Sequence, residues 1–159
     1  MVTTRTIKLK QLNLNPLSVA KYFWSKGVED YARIQLFLYL TYLEVLKKEN
    51  GVLFKEKFQA WEGGPVLESV HQQMKHHFKE HGTMNCLFEQ VEEIKDKIIK
   101  SYLAKTYRDY QNYKKKGQEI EFLFRSEDEP WEQAREQANG ERRPHIFLEP
   151  SKIIASYPN

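Results

Sequence analysis

A single cysteine, Cys86, among 159 residues leaves the chain unable to build a disulfide framework or a zinc ribbon of several thiolates. Glycine and proline are scarce too, at 7 and 6 residues, and no internal repeat, low-complexity tract or Gly/Ser linker divides the sequence. Charge of one sign is also lacking. The 25 Lys+Arg and 22 Asp+Glu leave a formal net charge of only +3. The sequence pI near 8.8 falls short of the value above about 9 that marks a dedicated nucleic-acid domain. The most apolar stretch, Leu36 to Leu46, is broken by Thr41 and Glu44, and a bilayer span needs about 20 apolar residues. The opening residues Met1 to Lys10 lack the apolar core of a secretory signal. These absences lead us to expect a cytoplasmic protein with a reduced thiol and no membrane partner.

What the chain does have is rings: 9 Phe, 9 Tyr and 3 Trp. A chain of this size can bury roughly 70% of its unfolded surface, enough for one hydrophobic core, so one domain is expected. Asn15-Pro16 reads as an N-cap followed by Pro at the first helical position, with Val19, Ala20, Phe23 and Trp24 behind it and Gly27 closing the helix. A second helix is predicted from about Asp30 to Glu49, its broad stripe of Ile34, Phe37, Leu38, Tyr42, Val45 and Leu46 calling for burial on more than one side. Asn50-Gly51 ends it. The pattern then changes, and Val52 to Trp61 suits a short β-hairpin or an extended segment. Gly63-Gly64-Pro65 breaks the chain, Pro65 is placed to open a third helix carrying Val66, Val70, Met74 and Phe78, and Gly82 ends that helix. A long fourth helix is predicted from near Leu87, with Val91, Ile94, Ile98 and Tyr102 on one face, and its continuation through Tyr107, Tyr110 and Tyr113 reads as either a separate helix or a frayed extension. Ile120 to Phe124 fits strand or helix, Glu129-Pro130-Trp131 opens a helix, and Pro150-Ser151 opens a terminal one. The class is mainly α, a single compact helical domain over 16–159 preceded by an N-terminal extension over 1–15.

Four constellations carry chemistry. His77 and His81 stand four apart, a spacing that lets both face one metal. The HExxH signature is missing, however, and Lys75 and Lys79 flank the pair, so a polar helix face is the simpler reading and no metal or cofactor is expected. No serine lies in a GxSxG elbow, and no GxxxxGK[ST] or GxGxxG phosphate loop exists, so no catalytic residue is assigned and the protein is not read as an enzyme. Lys114, Lys115 and Lys116 follow a tyrosine-rich stretch, a mixture that would suit phosphates and stacked bases. The acidic Glu89, Glu92, Glu93 and Asp96 share the same long element, which favours a solvated helix end whose lysines complement the dipole. The densest signal is Phe58-Gln59-Ala60-Trp61-Glu62-Gly63-Gly64-Pro65-Val66, where a Gly-Gly turn could display Trp61 and Glu62 to a protein partner.

The order of Val19-Ala20-Lys21-Tyr22-Phe23, Ile34-Gln35-Leu36-Phe37-Leu38-Tyr39, the Phe58–Val66 block and Glu129-Pro130-Trp131 resembles the Panacea domain, the family of SocA-type antitoxins and GepA-like phage-associated proteins. The likeness runs from about residue 16 to 157. Its sharpest parts are the Ala-Trp-x-x-Gly-Pro-Val core and the later Pro-Trp. Two places depart from the family pattern: Arg33–Tyr39 lacks a second lysine, and Arg125-Ser126-Glu127-Asp128-Glu129 stands where a Thr-His pair is common. The resemblance implies a mostly helical, non-catalytic protein that neutralises a cognate toxin by direct binding and is encoded on a prophage or mobile element. Trp61, Glu62, Gly64 and Pro65 would then form the partner-binding turn, with Tyr39 and Trp131 packed behind it. Two other readings are an autoregulatory nucleic-acid binder using Lys114–Lys116 and a non-catalytic phage structural protein. A homo-oligomer fits any of the three.

Overall fold

The computed structural model describes residues 8–115 and 129–156. Among them the elements run β1 (Lys10–Gln11), α1 (Pro16–Ser25), α2 (Tyr31–Glu49), β2 (Gly51–Val52), β3 (Gln59–Trp61), β4 (Gly64–Val66), α3 (Glu68–His81), α4 (Asn85–Glu89), α5 (Lys97–Lys115), α6 (Glu129–Ala138) and α7 (Pro150–Ala155). The fold is mainly α, with two small two-stranded sheets.

Local chemistry sets the first two helices. Asn15 Oδ1 accepts the Leu17 amide at 3.0 Å and Pro16 takes the first helical position, while Asp30 Oδ1 accepts the Arg33 amide at 3.1 Å. Each side chain satisfies an amide that the helix leaves without a partner. Asn50 stops α2 in the left-handed region at φ 52°. Gly51 follows because a Cβ there would sit 3.0 Å from Leu12 Cδ1 and 3.2 Å from Val45 Cγ1. That close approach lets β1 pair in parallel with β2, and Leu12 and Leu14 continue the ladder to Val52 and Leu53. Part of the expected extension thus belongs to the fold, with Leu9 and Leu14 packed on the core.

Helix α2 is the axis. Ile34, Leu38, Tyr39, Thr41, Val45 and Leu46 are fully buried, as its broad stripe required, and α1, α3, α5, α7 and the two small sheets all pack on it. Two ring clusters fill the space around it. Phe23 stacks on Phe37 with centroids 4.7 Å apart, and Phe58 meets Tyr39 at 5.0 Å and Tyr42 at 5.1 Å.

Three expectations need correction. Pro65 does not open α3 but lies in β4, paired with Ala60 in a hairpin whose two-residue loop is Glu62-Gly63. Proline is tolerated because β4 lies at the outer edge of this hairpin and its missing N–H removes no ladder bond. The hairpin itself covers 59–66, later than the expected 52–61. Helix α3 starts only at Glu68, and Phe78 on it is 51% exposed. The single long fourth helix is instead two, α4 and α5, because Asp96 Oδ1 caps a fresh start by accepting the Ile98 and Ile99 amides at 2.9 and 3.0 Å. That phase leaves Ile98 61% exposed and turns Ile99 and Leu103 inward. The strand-or-helix segment 120–124 and Lys116 lie outside the described residues.

Candidate functional site

Trp61 to Val66, the second part of the Phe58–Val66 block, build one wall of an open cavity of about 610 Å³. Tyr31, Gln35 and Leu36 of α2 form a second wall, His71 of α3 a third, and Arg142 and Arg143 the rim. The hairpin stands where it does because strands and helices clamp it from both ends. Ala60 N donates to Ile146 O at 2.9 Å, Glu62 N to Arg142 O at 2.8 Å and Leu148 N to Phe58 O at 2.8 Å. The segment 142–148 therefore runs along β3 as a third strand would. From α6, Trp131 Nε1 donates to Trp61 O at 3.2 Å and Arg135 Nη1 to Ala60 O at 2.9 Å.

Trp61 does not project from this turn. It is only 9% exposed, its indole N–H donates to Gln59 Oε1 at 2.9 Å, and the His71 ring meets it edge-on at 5.0 Å. The Arg143 guanidinium lies over the indole at 4.9 Å, the distance of an attractive cation–π pair. Among the described residues no carboxylate lies within ion-pair distance of Arg143, whereas Arg142 meets Glu62 at 3.0 Å in a well-exposed pair. Glu62 is the displayed member of the turn. Gly64 adopts φ +138°, a conformation that side chains disfavour, so the turn needs glycine at that position. Tyr39 is fully buried against Phe58 and Trp131 is half-buried behind β3, so both support the hairpin from within.

Gln35, 4% exposed, ties the site to α3. Its amide donates to Leu67 O at 3.0 Å and its carbonyl accepts Leu67 N at 2.9 Å. The start of α3 has no local side-chain cap. Glu56 supplies one from a distance, accepting the Ser69 amide at 3.1 Å and the Ser69 hydroxyl. Gln59 Nε2 donates to Glu68 Oε2 at 2.7 Å, completing a relay from Trp61 through Gln59 to the first turn of α3.

The His71 pKa is lowered, first by burial and then by the positive charges of Arg143 and Lys75, with Glu68 opposing. The unfolded chain takes this proton near pH 6.5 while the folded chain resists it. The unfolded state therefore binds more protons on acidification, and stability falls as pH drops through about 6.5. His71→Gln is expected to flatten that part of the thermal-midpoint profile between about pH 7.5 and 5.5 relative to the parent. Parallel profiles for parent and variant would show that His71 has no such role.

No sequence signal marks Arg135, Arg142 or Arg143 as part of a site: the first lies on the helix opened by Glu129-Pro130-Trp131, and the other two lie in a segment without periodicity. Cys86 follows the α3 histidines closely in sequence, but its spacing alone does not set it against them. His71 faces the cavity, whereas His77 and His81 sit on another face, near Cys86. Two tyrosines of α5 have structural partners: Tyr107 OH donates to Lys26 O at 3.3 Å, Tyr110 OH accepts from Arg33 Nη1 at 2.8 Å, and the Tyr110 ring meets Phe37 edge-on at 4.9 Å. Lys114 and Lys115 are exposed in the last turn of α5. No helix among the described residues is long and apolar enough to cross a membrane. No protein-family model matches the chain, and no curated protein or solved structure matches it either.

Proposed function

We propose that this chain is a non-catalytic binding protein that neutralises a cognate toxin by direct contact, and that the partner docks at the cavity under the 61–66 hairpin. The carrying observation is that the block with the sharpest family resemblance, Ala60-Trp61-x-x-Gly64-Pro65-Val66, is the block that walls this cavity. Among the described residues no carboxylate pairs with Arg143, so its exposed guanidinium, held over the Trp61 ring, can receive an acidic side chain as a directed charge. Burial of Trp61 removes the entropy cost of ordering it on binding.

Expression of the neighbouring gene product alone is expected to arrest growth, and co-expression with this chain to relieve the arrest, with the two proteins purifying together. Arg143→Glu, on an exposed rim, should leave folding intact and break both rescue and co-purification. A harmless neighbour that does not co-purify would sink the antitoxin reading. A nucleic-acid role would call on Tyr107 and Tyr110 as stacking platforms, and both are engaged within the fold. Retardation of operator DNA at low salt, weakened by substitution of Lys114 and Lys115, would restore that role.

A further inference from the structure

We propose that His77, His81 and Cys86 form a binding site for one zinc ion, separate from the Trp61 cavity. One donor atom from each of the three lies within 4.8 Å of the others. His77 and His81 come together because residues four apart share a helix face. Cys86 arrives by a different route. Gly82 ends α3 in the left-handed region at φ +71°, the chain reverses over Thr83-Met84, and Met84, Leu87 and Phe88 are buried in the core. That anchoring fixes α4 with its cysteine against the end of α3.

Two further features point to a ligand. His77 Nδ1 is shut off from solvent and has no hydrogen-bond partner among the described residues, a state in which buried ring nitrogens are seldom left. Gln90 Nε2 points its N–H at Cys86 Sγ from 3.5 Å, the outer-shell contact that favours a thiolate. The flanking lysines do not oppose a cation here. At about 100° per residue, Lys75 and Lys79 lie roughly 160° around the helix from His77, and both are exposed.

Two imidazoles and a thiolate suit borderline-soft zinc and disfavour magnesium or calcium, which seek oxygen. Tetrahedral zinc with bonds of about 2.0–2.3 Å needs donors roughly 3.3–3.8 Å apart. The three donors already lie within 4.8 Å of one another, so side-chain shifts of about an ångström bring them into that range. Three protein donors leave the fourth position to water.

The test uses untagged, reduced, chelator-stripped full chain titrated with cobalt(II). The expected result is one equivalent bound, with the strong visible absorption of tetrahedral cobalt and a thiolate-to-cobalt charge-transfer band, both erased by one equivalent of zinc. Cys86→Ser should remove the charge-transfer band, and His81→Ala should weaken zinc binding by at least about 100-fold. His76→Ala, an imidazole beside the cluster, should bind like the parent. His81 is exposed, so its variant keeps the fold, and circular dichroism of the metal-free variants checks this. A folded parent without a charge-transfer band overturns the site, as does His81→Ala binding zinc as tightly as the parent.

Discussion

Phe58→Ala is expected to lower the unfolding free energy by about 3–5 kcal/mol, read as a drop in urea midpoint with little change in slope. Phe58 is fully buried, and its ring touches Tyr39, Tyr42 and Phe54 with centroids 5.0, 5.1 and 6.2 Å away. Three large rings fixed on α2 and the loop before β3 cannot close in on an alanine, so the cavity term adds to the lost transfer energy. Domains of this size have stabilities of about 5–15 kcal/mol, so a loss of this size removes about a fifth or more of the total. Phe58 also holds the segment that follows α6, since its carbonyl accepts Leu148 N at 2.8 Å. Alanine keeps that backbone bond but removes the ring that seats the strand, so the hairpin that walls the cavity should loosen. Tryptophan fluorescence should then shift to the red before global unfolding, a shift that a Trp61→Phe background abolishes. A loss under about 1 kcal/mol would mean that the ring cluster re-packs freely and does not set the hairpin's position.

Gln35→Met is expected to cost about 1–3 kcal/mol, although methionine nearly matches glutamine in shape and is the more hydrophobic of the two. The reason lies in Leu67, whose buried N–H and C=O both find their partners in the Gln35 amide. Removing that amide strands the Leu67 N–H, worth about 1–3 kcal/mol when buried and unpaired, whereas Leu67 O keeps the His71 amide at 3.1 Å and loses only its second donor. Gln35→Glu separates the two bonds. A carboxylate still accepts Leu67 N but donates nothing to Leu67 O, so this variant should recover stability on acidification, when the protonated acid can donate again. A Gln35→Met protein as stable as the parent would place solvent from the adjoining cavity on the Leu67 groups.

How much was readable in advance differs from element to element. Asn15-Pro16, Asp30 and Asn50-Gly51 act within a few residues of themselves, so the limits of α1 and α2 follow from composition alone. The width of the α2 stripe likewise foretold its place at the centre. The start of α3 was misread because its caps are Gln35 and Glu56, 32 and 13 residues from their partners. Proline beside Gly-Gly fits both a helix opening and a hairpin edge, and only the 142–148 segment along β3 decides for the hairpin. Likewise the periodic run after Leu87 carried no mark of the break that Asp96 makes.

The candidate site shows the same division. Trp61 and the turn after it stand out as a cluster of rare residues, and Glu62 in that turn is exposed. The direction in which Trp61 faces, and the arginine over it, depend on a segment some 80 residues later. By itself the sequence determined a mainly helical chain with one core, the caps of its early helices, and a tryptophan-glycine-proline block unlike its surroundings, all properties that neighbours in the chain impose on one another. Tertiary structure alone decided that this block is a buried hairpin walling a cavity, that Arg143 covers its indole, and that Cys86 meets His77 and His81. Each of those contacts joins elements that packing on α2 brings together, and no short-range periodicity encodes such a meeting.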